Sequence, residues 1–302
     1  MGYLQLRLNQ NPQIFQLHNM NLYTVNAGYF KLDGGAMFGV VPKSLWNKLN
    51  PADENNLCSW AMRCLLIQEG NRLILIDNGM GDKQDAKFFG HYYLHGNDTL
   101  ETSLAKHGFT KDEVTDVILT HLHFDHCGGS IVVEDGKYVT AFKNATYWSN
   151  QQHWQWAIQP NDREKASFLK ENILPIEESG QLKFIETVDG AVLTENITFK
   201  FAYGHTDAMM LPLIKYKGHT IVFMADLLPS VGHLPLPYVM AYDMFPLKTL
   251  IEKKAFLTEA VENNYLLYLE HDPKIECCTL QLTEKGPRVK QTFTLQEWWR
   301  TL

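Results

Sequence analysis

Short apolar runs recur along the chain, and several of them end at a residue that can bind metal. Apolar, strand-like runs stand directly before Asp77, His121, His205, Asp226 and His271. The end of a strand gives a side chain a rigid base, and the loop that follows leaves it accessible. We therefore expect these residues to converge on one edge of the sheets.

The remaining pattern predicts a chain in which strands and helices are mixed. Predicted strands lie at residues 20–32, 58–79 (a hairpin turning at 69–71), 117–119, 182–186, 197–204, 219–226 and 265–271. Helical character is predicted for residues 101–109, 148–172 and 247–263, the last with the apolar spacing of a helix with one buried face. The chain shows no repeat, no low-complexity segment and no linker. We therefore predict a single domain over residues 1–302.

Composition narrows the class of protein. The 302 residues are 45% hydrophobic and 20% charged, which supplies a large core and argues against disorder. The net charge of −7 offers no general attraction to a phosphate backbone, so nucleic acid is not an expected partner. No run approaches the roughly 18 apolar residues of a membrane span. We expect a soluble protein that binds neither nucleic acid nor membrane.

The cysteines indicate a reducing compartment. There are five of them, an odd number for a disulfide scaffold in a chain of this length. Cys277 and Cys278 are adjacent and are interpreted as reduced thiols on opposite faces of a strand. Residues 1–16 contain no apolar region of a secretory signal. A cytoplasmic location is the expectation.

The segment THLHFDHCGG carries the strongest chemical signal. It places His121, His123, Asp125 and His126 within six residues. In extended or turning backbone, His121 and His123 point to the same side, and Asp125 and His126 follow beyond a bend. Imidazole and carboxylate suit zinc, iron, manganese or cobalt, and no cysteine ligand is required. This spacing predicts a site for two neighbouring metal ions.

The segment resembles the H-x-H-x-D-H signature of the metallo-β-lactamase superfamily. The resemblance extends, in order, to Asp77 in LILIDNG, His205 in YGHTDAM, Asp226 in VFMADLL and His271 in LYLEHDP. It implies an α/β fold, a four-layer αβ/βα sandwich in which two mixed β-sheets pack face to face with helices outside. It also implies an N-terminal extension over residues 1–50 and a tryptophan-rich helical insertion over about 148–172.

The resemblance also implies the ligand sets. One divalent metal ion, most simply zinc, would be held by His121, His123 and His205. A second would be held by Asp125, His126 and His271. Asp226 would bridge the two ions, and Asp77 would orient a ligand from behind without binding metal.

Two departures from the family pattern affect the surroundings of this site. The usual GHTPGH segment is GHTDAMM here, which removes a Pro-Gly turn and a histidine. Related lactonases often carry a tyrosine three residues after the bridging aspartate, where this chain has Pro229. A phenol is therefore absent there or is supplied from elsewhere, with Tyr238, Tyr242 or His233 as candidates.

Aromatic and apolar residues outline a candidate substrate pocket. Those predicted to line it are Met37, Phe38, Phe88, Phe89, Trp154, Trp156 and His233. Ordinary core packing of the tryptophans and phenylalanines stays open as the alternative. A hydrophobic pocket above two metal ions suits a small molecule with an apolar acyl or aryl group.

The expected function is a dinuclear-metal hydrolase, a lactonase that opens N-acyl-homoserine lactones by attack of a hydroxide shared between the metals. Asp125 is the predicted catalytic residue, passing a proton to the leaving group. The alternatives are an organophosphate or aryl-ester hydrolase of the phosphotriesterase type and, in another class, a mononuclear iron enzyme resembling persulfide dioxygenases. A homodimer is left open.

Overall fold

The fold is described by a computed structural model that covers residues 20–302. Two predictions concern residues outside this range. They are the lack of a secretory signal in residues 1–16 and the first part of the N-terminal extension. Within residues 20–302, no helix is both long enough and apolar enough to cross a membrane.

Two large β-sheets form the centre of the molecule. The strands are β1 (Met20–Asp33), β2 (Leu57–Glu69), β3 (Arg72–Ile76), β4 (Asp116–Ile118), β5 (Ile131–Glu134), β6 (Lys137–Thr140), β7 (Thr146–Asn150), β8 (Leu182–Ile185), β9 (Val192–Thr194), β10 (Ile197–Ala202), β11 (Met209–Tyr216), β12 (His219–Phe223), β13 (Leu266–Tyr268), β14 (Cys277–Thr283) and β15 (Gly286–Phe293). One sheet has the order β1-β2-β3-β4-β7-β8, and the other has the order β15-β14-β13-β12-β11-β10-β9. Strands β5 and β6 form a small separate hairpin.

Helices connect these strands. They are α1 (Gly34–Phe38), α2 (Lys43–Trp46), α3 (Ala86–Tyr92), α4 (Leu100–Lys106), α5 (Phe124–Cys127), α6 (Gln151–Ile158), α7 (Lys170–Glu178), α8 (Pro246–Glu262) and α9 (Leu295–Trp299). Local sequence explains several boundaries. Thr99 and Thr102 form a capping box at the start of α4, and α8 begins at Pro246, whose missing N–H is not needed in a first turn.

The main core lies between the two sheets. Ile74 and Ile118 from one sheet lie in the same core as Phe199 and Ile221 from the other, and all four are at most 1% exposed. A second core, which includes Leu104 of α4, covers the opposite face of the first sheet. Helix α8 covers the outer face of the second sheet. The predicted four-layer α/β sandwich is thereby confirmed.

The central strands are parallel and short. Strand β4 pairs in parallel with both β3 and β7, and β12 pairs in parallel with β13. Strands buried on both faces are continuous apolar runs, which is the pattern that the sequence shows here. Because parallel strands end at the same edge, the residues that follow β3, β4, β12 and β13 lie close together.

The predicted helix over residues 148–172 is only partly helical. Trp148 lies on strand β7, where its indole donates a hydrogen bond to Asp116 (2.8 Å). Helix α6 ends before Pro160, which cannot continue a helix, and α7 begins at Lys170. Residues 159–169 between them form an irregular segment, called here the 159–169 segment.

Candidate metal centre

The structure brings all seven predicted ligands together at the common edge of the two sheets. Asp77, His121, Asp226 and His271 follow the ends of β3, β4, β12 and β13, and His205 follows β10. Asp125 and His126 lie on the single turn of helix α5. Their side chains are at most 11% exposed, so the cluster lies below the surface.

One group of four ligand atoms is centred on His123. Its Nδ1 atom lies 3.1 Å from Nε2 of His121 and 3.2 Å from Nε2 of His205. Oδ2 of Asp226 lies 3.1 Å from Nε2 of His205 and 4.0 Å from Nε2 of His121. These atoms are near enough to share one ion.

A second group is centred on His271. Its Nε2 atom lies 3.1 Å from Nε2 of His126, 3.7 Å from Oδ2 of Asp125 and 3.1 Å from Oδ1 of Asp226. Asp226 therefore presents one carboxylate oxygen to each group. This is the geometry of a carboxylate that bridges two ions.

Hydrogen bonding within the protein leaves these inner atoms unsatisfied, which tests whether metal ions fit. The outer nitrogens of His123, His205 and His271 face hydrogen-bond acceptors, namely Glu164 (2.9 Å), Asp243 (2.8 Å) and the carbonyl of Ala61 (2.7 Å). In the neutral imidazole, the form that binds metal, each outer nitrogen then carries the proton and the inner nitrogen presents a lone pair. Lone pairs 3.1–3.2 Å apart repel unless a cation lies between them.

The bridging carboxylate supports the same conclusion. Oδ1 of Asp226 is buried and has no hydrogen-bond partner within residues 20–302. Such an atom is costly unless it binds an ion. Three nitrogens with one oxygen, and two nitrogens with two oxygens, are donor sets that suit zinc and other borderline divalent ions. The residues therefore fit a pair of divalent metal ions.

The carboxylates of the cluster favour positive charge among the ligand atoms. Burial opposes protonation of His205, yet the carboxylates of Asp226 and Asp243 outweigh it and raise its pKa to about 10. His271 behaves in the same way: burial lowers its pKa, but Asp226 raises it to about 9. Burial and the neighbouring His126 hold the pKa of His121 well below its usual value. The buried carboxylates thus produce a negative potential that would stabilise two bound metal ions.

Asp77 supports the cluster from behind. Its carboxylate accepts hydrogen bonds from the backbone N–H and the hydroxyl of Thr120 (2.8 and 2.6 Å). It also lies 3.1 Å from Nδ1 of His126, on the side away from the second group. The structure therefore places Asp77 where it orients His126 rather than among the inner ligand atoms.

The two glycines after His126 allow this support by a close backbone approach. A Cβ atom on Gly128 would lie 2.1 Å from the carbonyl oxygen of Met80, and one on Gly129 would lie 2.3 Å from that of Asn78. Real Cβ atoms do not come so near. The loop after Asp77 and the loop after His126 therefore touch through their backbones.

Four supporting residues were not identified by the sequence reasoning. Glu164, Asp243 and Glu270 lie 2.9, 2.8 and 3.0 Å from the outer nitrogens of His123, His205 and His126. Buried His153 accepts a hydrogen bond from the backbone N–H of Leu122 (2.9 Å) between two ligands. Glu270 has a sequence signal, a charge inside an apolar run. The others lie in no recognisable motif.

A cavity of about 340 Å³ opens above the cluster. The ligands His123, Asp125, His205, Asp226 and His271 form its floor. Its walls are mostly apolar, with a few polar groups, and consist of Leu32, Met37, Tyr92, Phe124, Arg163, Ala166, Ser167, Met240, Ala241, Tyr242 and Met244.

The predicted pocket residues take different places around this cavity. Met37 is among the lining residues. Phe38 is fully buried behind it, stacked on His233 with ring centres 4.6 Å apart. Phe88 and Phe89 pack on each other. Phe88 also packs on Tyr92, with ring centres 4.9 Å apart. None of these three phenylalanines is among the lining residues.

The tryptophans and His233 also lie outside the cavity. Trp154 is 1% exposed and belongs to the core under the first sheet, so the core alternative describes it. Trp156 donates its indole N–H to Glu164 (2.6 Å) and so acts on the site through that carboxylate. His233 is 1% exposed and donates to the carbonyl of Met37 (2.9 Å).

Two tyrosines place phenols at the cavity, although Pro229 stands where related lactonases often carry a tyrosine. Tyr92 and Tyr242 both line the cavity, whereas Tyr238, the other candidate, does not. Burial raises the pKa of Tyr92 to about 12, and the nearby charge of Asp125 acts in the same direction. Burial also raises the pKa of Tyr242. Both phenols therefore stay protonated and can donate hydrogen bonds at neutral pH.

Comparison with known proteins gives consistent results. The chain is 28% identical over 193 residues to the N-acyl homoserine lactonase AiiA of Bacillus thuringiensis subsp. kurstaki, covering 57% of this chain and 73% of that protein. A probable metal-dependent hydrolase from Staphylococcus aureus has a similar structure, with a TM-score of 0.82 and 27% identity over 91% of this chain and 97% of that one. The dizinc quorum-quenching lactonase AidC shares the fold, with a TM-score of 0.75 and 22% identity over 92% of this chain and 97% of that one.

The family model described as the metallo-beta-lactamase superfamily matches residues 63–271. This range contains all seven clustered ligands and more than half of the chain. The protein therefore belongs to the metallo-β-lactamase superfamily.

Proposed function

We propose that this protein is a dizinc hydrolase that opens N-acyl-homoserine lactones. One observation carries the proposal: a largely apolar cavity stands directly above two ligand groups, and Asp226 presents one carboxylate oxygen to each of them. The names of its relatives, which include N-acyl homoserine lactonases, point the same way. Both observations favour a small neutral substrate with an apolar arm.

Two bound cations would lower the pKa of a water molecule and polarise the carbonyl of the substrate. The side chains of the protein then have separate tasks. Oδ2 of Asp125 lies 3.8 and 3.7 Å from Nε2 of His126 and His271, at the floor of the cavity. From there it can accept a proton and pass it to the departing alkoxide when the ring opens. The phenols of Tyr92 and Tyr242 can donate to substrate oxygens.

The walls of the cavity suit an acyl chain. Met37, Met240 and Met244 contribute flexible, polarisable side chains that adapt to ligands of different lengths. Phe124 adds a flat apolar surface next to Asp125. Among the wall residues above the ligands, within residues 20–302, Arg163 is the one cationic side chain, so the walls are largely free of charge.

A substrate panel tests the proposal. The zinc-loaded protein is assayed with N-acyl-homoserine lactones of short and long acyl chains, an aryl ester, a phosphotriester and a glutathione thioester. We expect kcat/KM to be highest for a lactone and to rise with acyl length up to the size of the cavity. A phosphotriester or aryl ester turned over at least ten times more efficiently than every lactone would overturn the substrate assignment.

Metal analysis addresses the iron alternative. The second ligand group, Asp125, His126 and His271, is as closely spaced as the first, which favours two ions over one. We expect two equivalents of zinc per chain and a colourless protein. One equivalent of iron, together with oxygen uptake in the presence of a persulfide, would replace the hydrolase proposal with an oxidoreductase.

A further inference from the structure

Two parts of the cavity wall are linked by buried carboxylates to ligands of the first metal group. Glu164, in the 159–169 segment, accepts a hydrogen bond from Nε2 of His123 (2.9 Å). Asp243, in the chain between β12 and α8, accepts one from Nδ1 of His205 (2.8 Å). Both carboxylates are 1% exposed. Each is therefore a fixed connection between a metal ligand and a wall segment.

Glu164 holds its own segment together. Its second oxygen accepts hydrogen bonds from the indole of Trp156 (2.6 Å) and from the side-chain amide of Asn161 (3.2 Å). The same segment contributes Arg163 and Ser167 to the cavity wall. A displacement of His123 would therefore be transmitted to side chains that contact substrate.

The two wall segments are also joined to each other. The guanidinium of Arg163 donates a hydrogen bond to the carbonyl of Ala241, across the mouth of the cavity. Ser167 in turn accepts a hydrogen bond from the backbone N–H of Phe124 (3.0 Å), directly before Asp125. The wall thus forms one continuous connection from His123 to His205.

Within residues 20–302, the two histidines of the second metal group have no such carboxylate link to the wall. His126 is supported by Asp77 and Glu270, and His271 by the carbonyl of Ala61. These partners lie on or next to β2, β3 and β13, and none of them lines the cavity. The arrangement is therefore asymmetric: carboxylates link the histidines of the first group, but not those of the second, to segments of the substrate wall.

We propose that Glu164 is a positioning residue that couples occupancy of the first metal position to the shape of the substrate wall. The link to substrate selectivity rests on the proposed function, whereas the link to metal binding does not. Residues that orient a metal-binding histidine in this way typically contribute 10–100-fold to metal affinity. Loss of the Glu164 carboxylate is expected to weaken one zinc position by that factor and to loosen the 159–169 segment.

The test compares Glu164→Gln with Asp162→Asn. Asp162 lies in the same segment, but its carboxylate is exposed and, among residues 20–302, pairs only with Lys165. Asp162→Asn therefore makes the same charge change away from the metal ligands. Zinc affinity is measured by competition with a chromophoric chelator, and backbone mobility by hydrogen exchange with and without zinc. We expect Glu164→Gln to bind one of its two zinc ions 10–100-fold more weakly and to exchange faster over residues 159–169. Asp162→Asn should match the parent protein in both measurements.

Steady-state kinetics supply a readout that a merely structural defect would not produce. With saturating zinc, Glu164→Gln should raise KM for a long-chain substrate more than it lowers kcat. If Glu164→Gln does not fold, Trp156→Phe removes one hydrogen bond to the same carboxylate and should shift zinc affinity and exchange in the same direction by a smaller factor.

The outcomes separate this proposal from the proposed function. Unchanged zinc affinity and unchanged exchange in Glu164→Gln would overturn the coupling, whatever substrate the protein hydrolyses. Weaker zinc binding and faster exchange in a protein that hydrolyses no lactone would overturn the lactonase proposal and leave the coupling in place.

Discussion

Replacement of Lys253 by methionine tests how the chain that carries Tyr242 and Asp243 is held over the metal centre. Lys253 lies on α8, is 2% exposed, and donates hydrogen bonds to the carbonyls of His233 (2.9 Å), Pro235 (3.3 Å) and Tyr238 (2.8 Å). A buried ammonium group with three acceptors therefore fixes the segment between residues 233 and 238 against the helix.

Two opposing effects set the magnitude. Burial lowers the pKa of Lys253 from 10.5 to about 8, against the attraction of Asp243, which corresponds to a cost of about 3 kcal/mol for the charged form at pH 7. Methionine removes that cost but leaves three carbonyls without a donor, at about 1–3 kcal/mol each. We expect Lys253→Met to lower the free energy of unfolding by about 3 kcal/mol at pH 7.

The pH dependence identifies the cause. Between about pH 8 and pH 10.5, the unfolded chain binds a proton at Lys253 that the folded protein does not, so the stability contributed by this residue rises with pH. Raising the pH from 7 to 9.5 should therefore widen the gap between the parent protein and Lys253→Met by about 2 kcal/mol.

Urea unfolding at the two pH values measures this difference, with Lys254→Met as the control because Lys254 is exposed on the same helix. A gap between parent and Lys253→Met that stays the same at both pH values would refute the reasoning. It would mean that the amine titrates in the folded protein as it does in water.

Other predictions concern the centre and its surroundings. Asp226→Ala removes a candidate ligand from both groups, so the content of bound metal should fall and kcat/KM should drop by at least about 10³-fold. Near-native metal content and turnover would contradict the ligand assignment. Trp154→Ala should lower the free energy of unfolding by about 3–5 kcal/mol with little change in substrate preference, because Trp154 is a core residue. Trp156→Ala should change substrate preference, because Trp156 donates to Glu164, and the reverse pattern would contradict the assigned positions. Tyr92→Phe and Tyr242→Phe each remove a donor from the cavity, so at least one should lower kcat/KM about 10-fold at unchanged metal content. Native rates in both variants would exclude the phenols from the reaction.

The sequence predicted that the candidate ligands and Asp77 would converge, because most of them occupy positions that the backbone dictates. Asp77, His121, Asp226 and His271 follow short apolar strands, and parallel pairing brings such strand ends to one edge. The mixture of strands and helices follows from the same apolar pattern, whereas the four-layer arrangement was implied by the resemblance to the superfamily. Neither prediction needs any knowledge of how distant side chains pack.

The surroundings of the centre were less predictable because they depend on irregular backbone. Glu164 and Asp243 reach the histidines from segments without periodic structure, and nothing in their neighbouring residues distinguishes them from other acidic residues. Trp154 and Trp156 are two positions apart on one short helix, yet Trp154 enters the core and Trp156 meets Glu164. Helical spacing separates the two directions but does not show which of them faces the cavity.

The backbone contact at Gly128 and Gly129 has a consequence for how the centre responds to disturbance. No side chain separates the two loops, so the peptide groups after Asp77 and after His126 are in direct van der Waals contact. A thermal fluctuation or a nearby substitution cannot shift one loop without pushing the other. This contact therefore helps to hold the distance from the supporting carboxylate to its imidazole, so substrate preference can vary through wall segments other than α5 while that half of the centre keeps its dimensions.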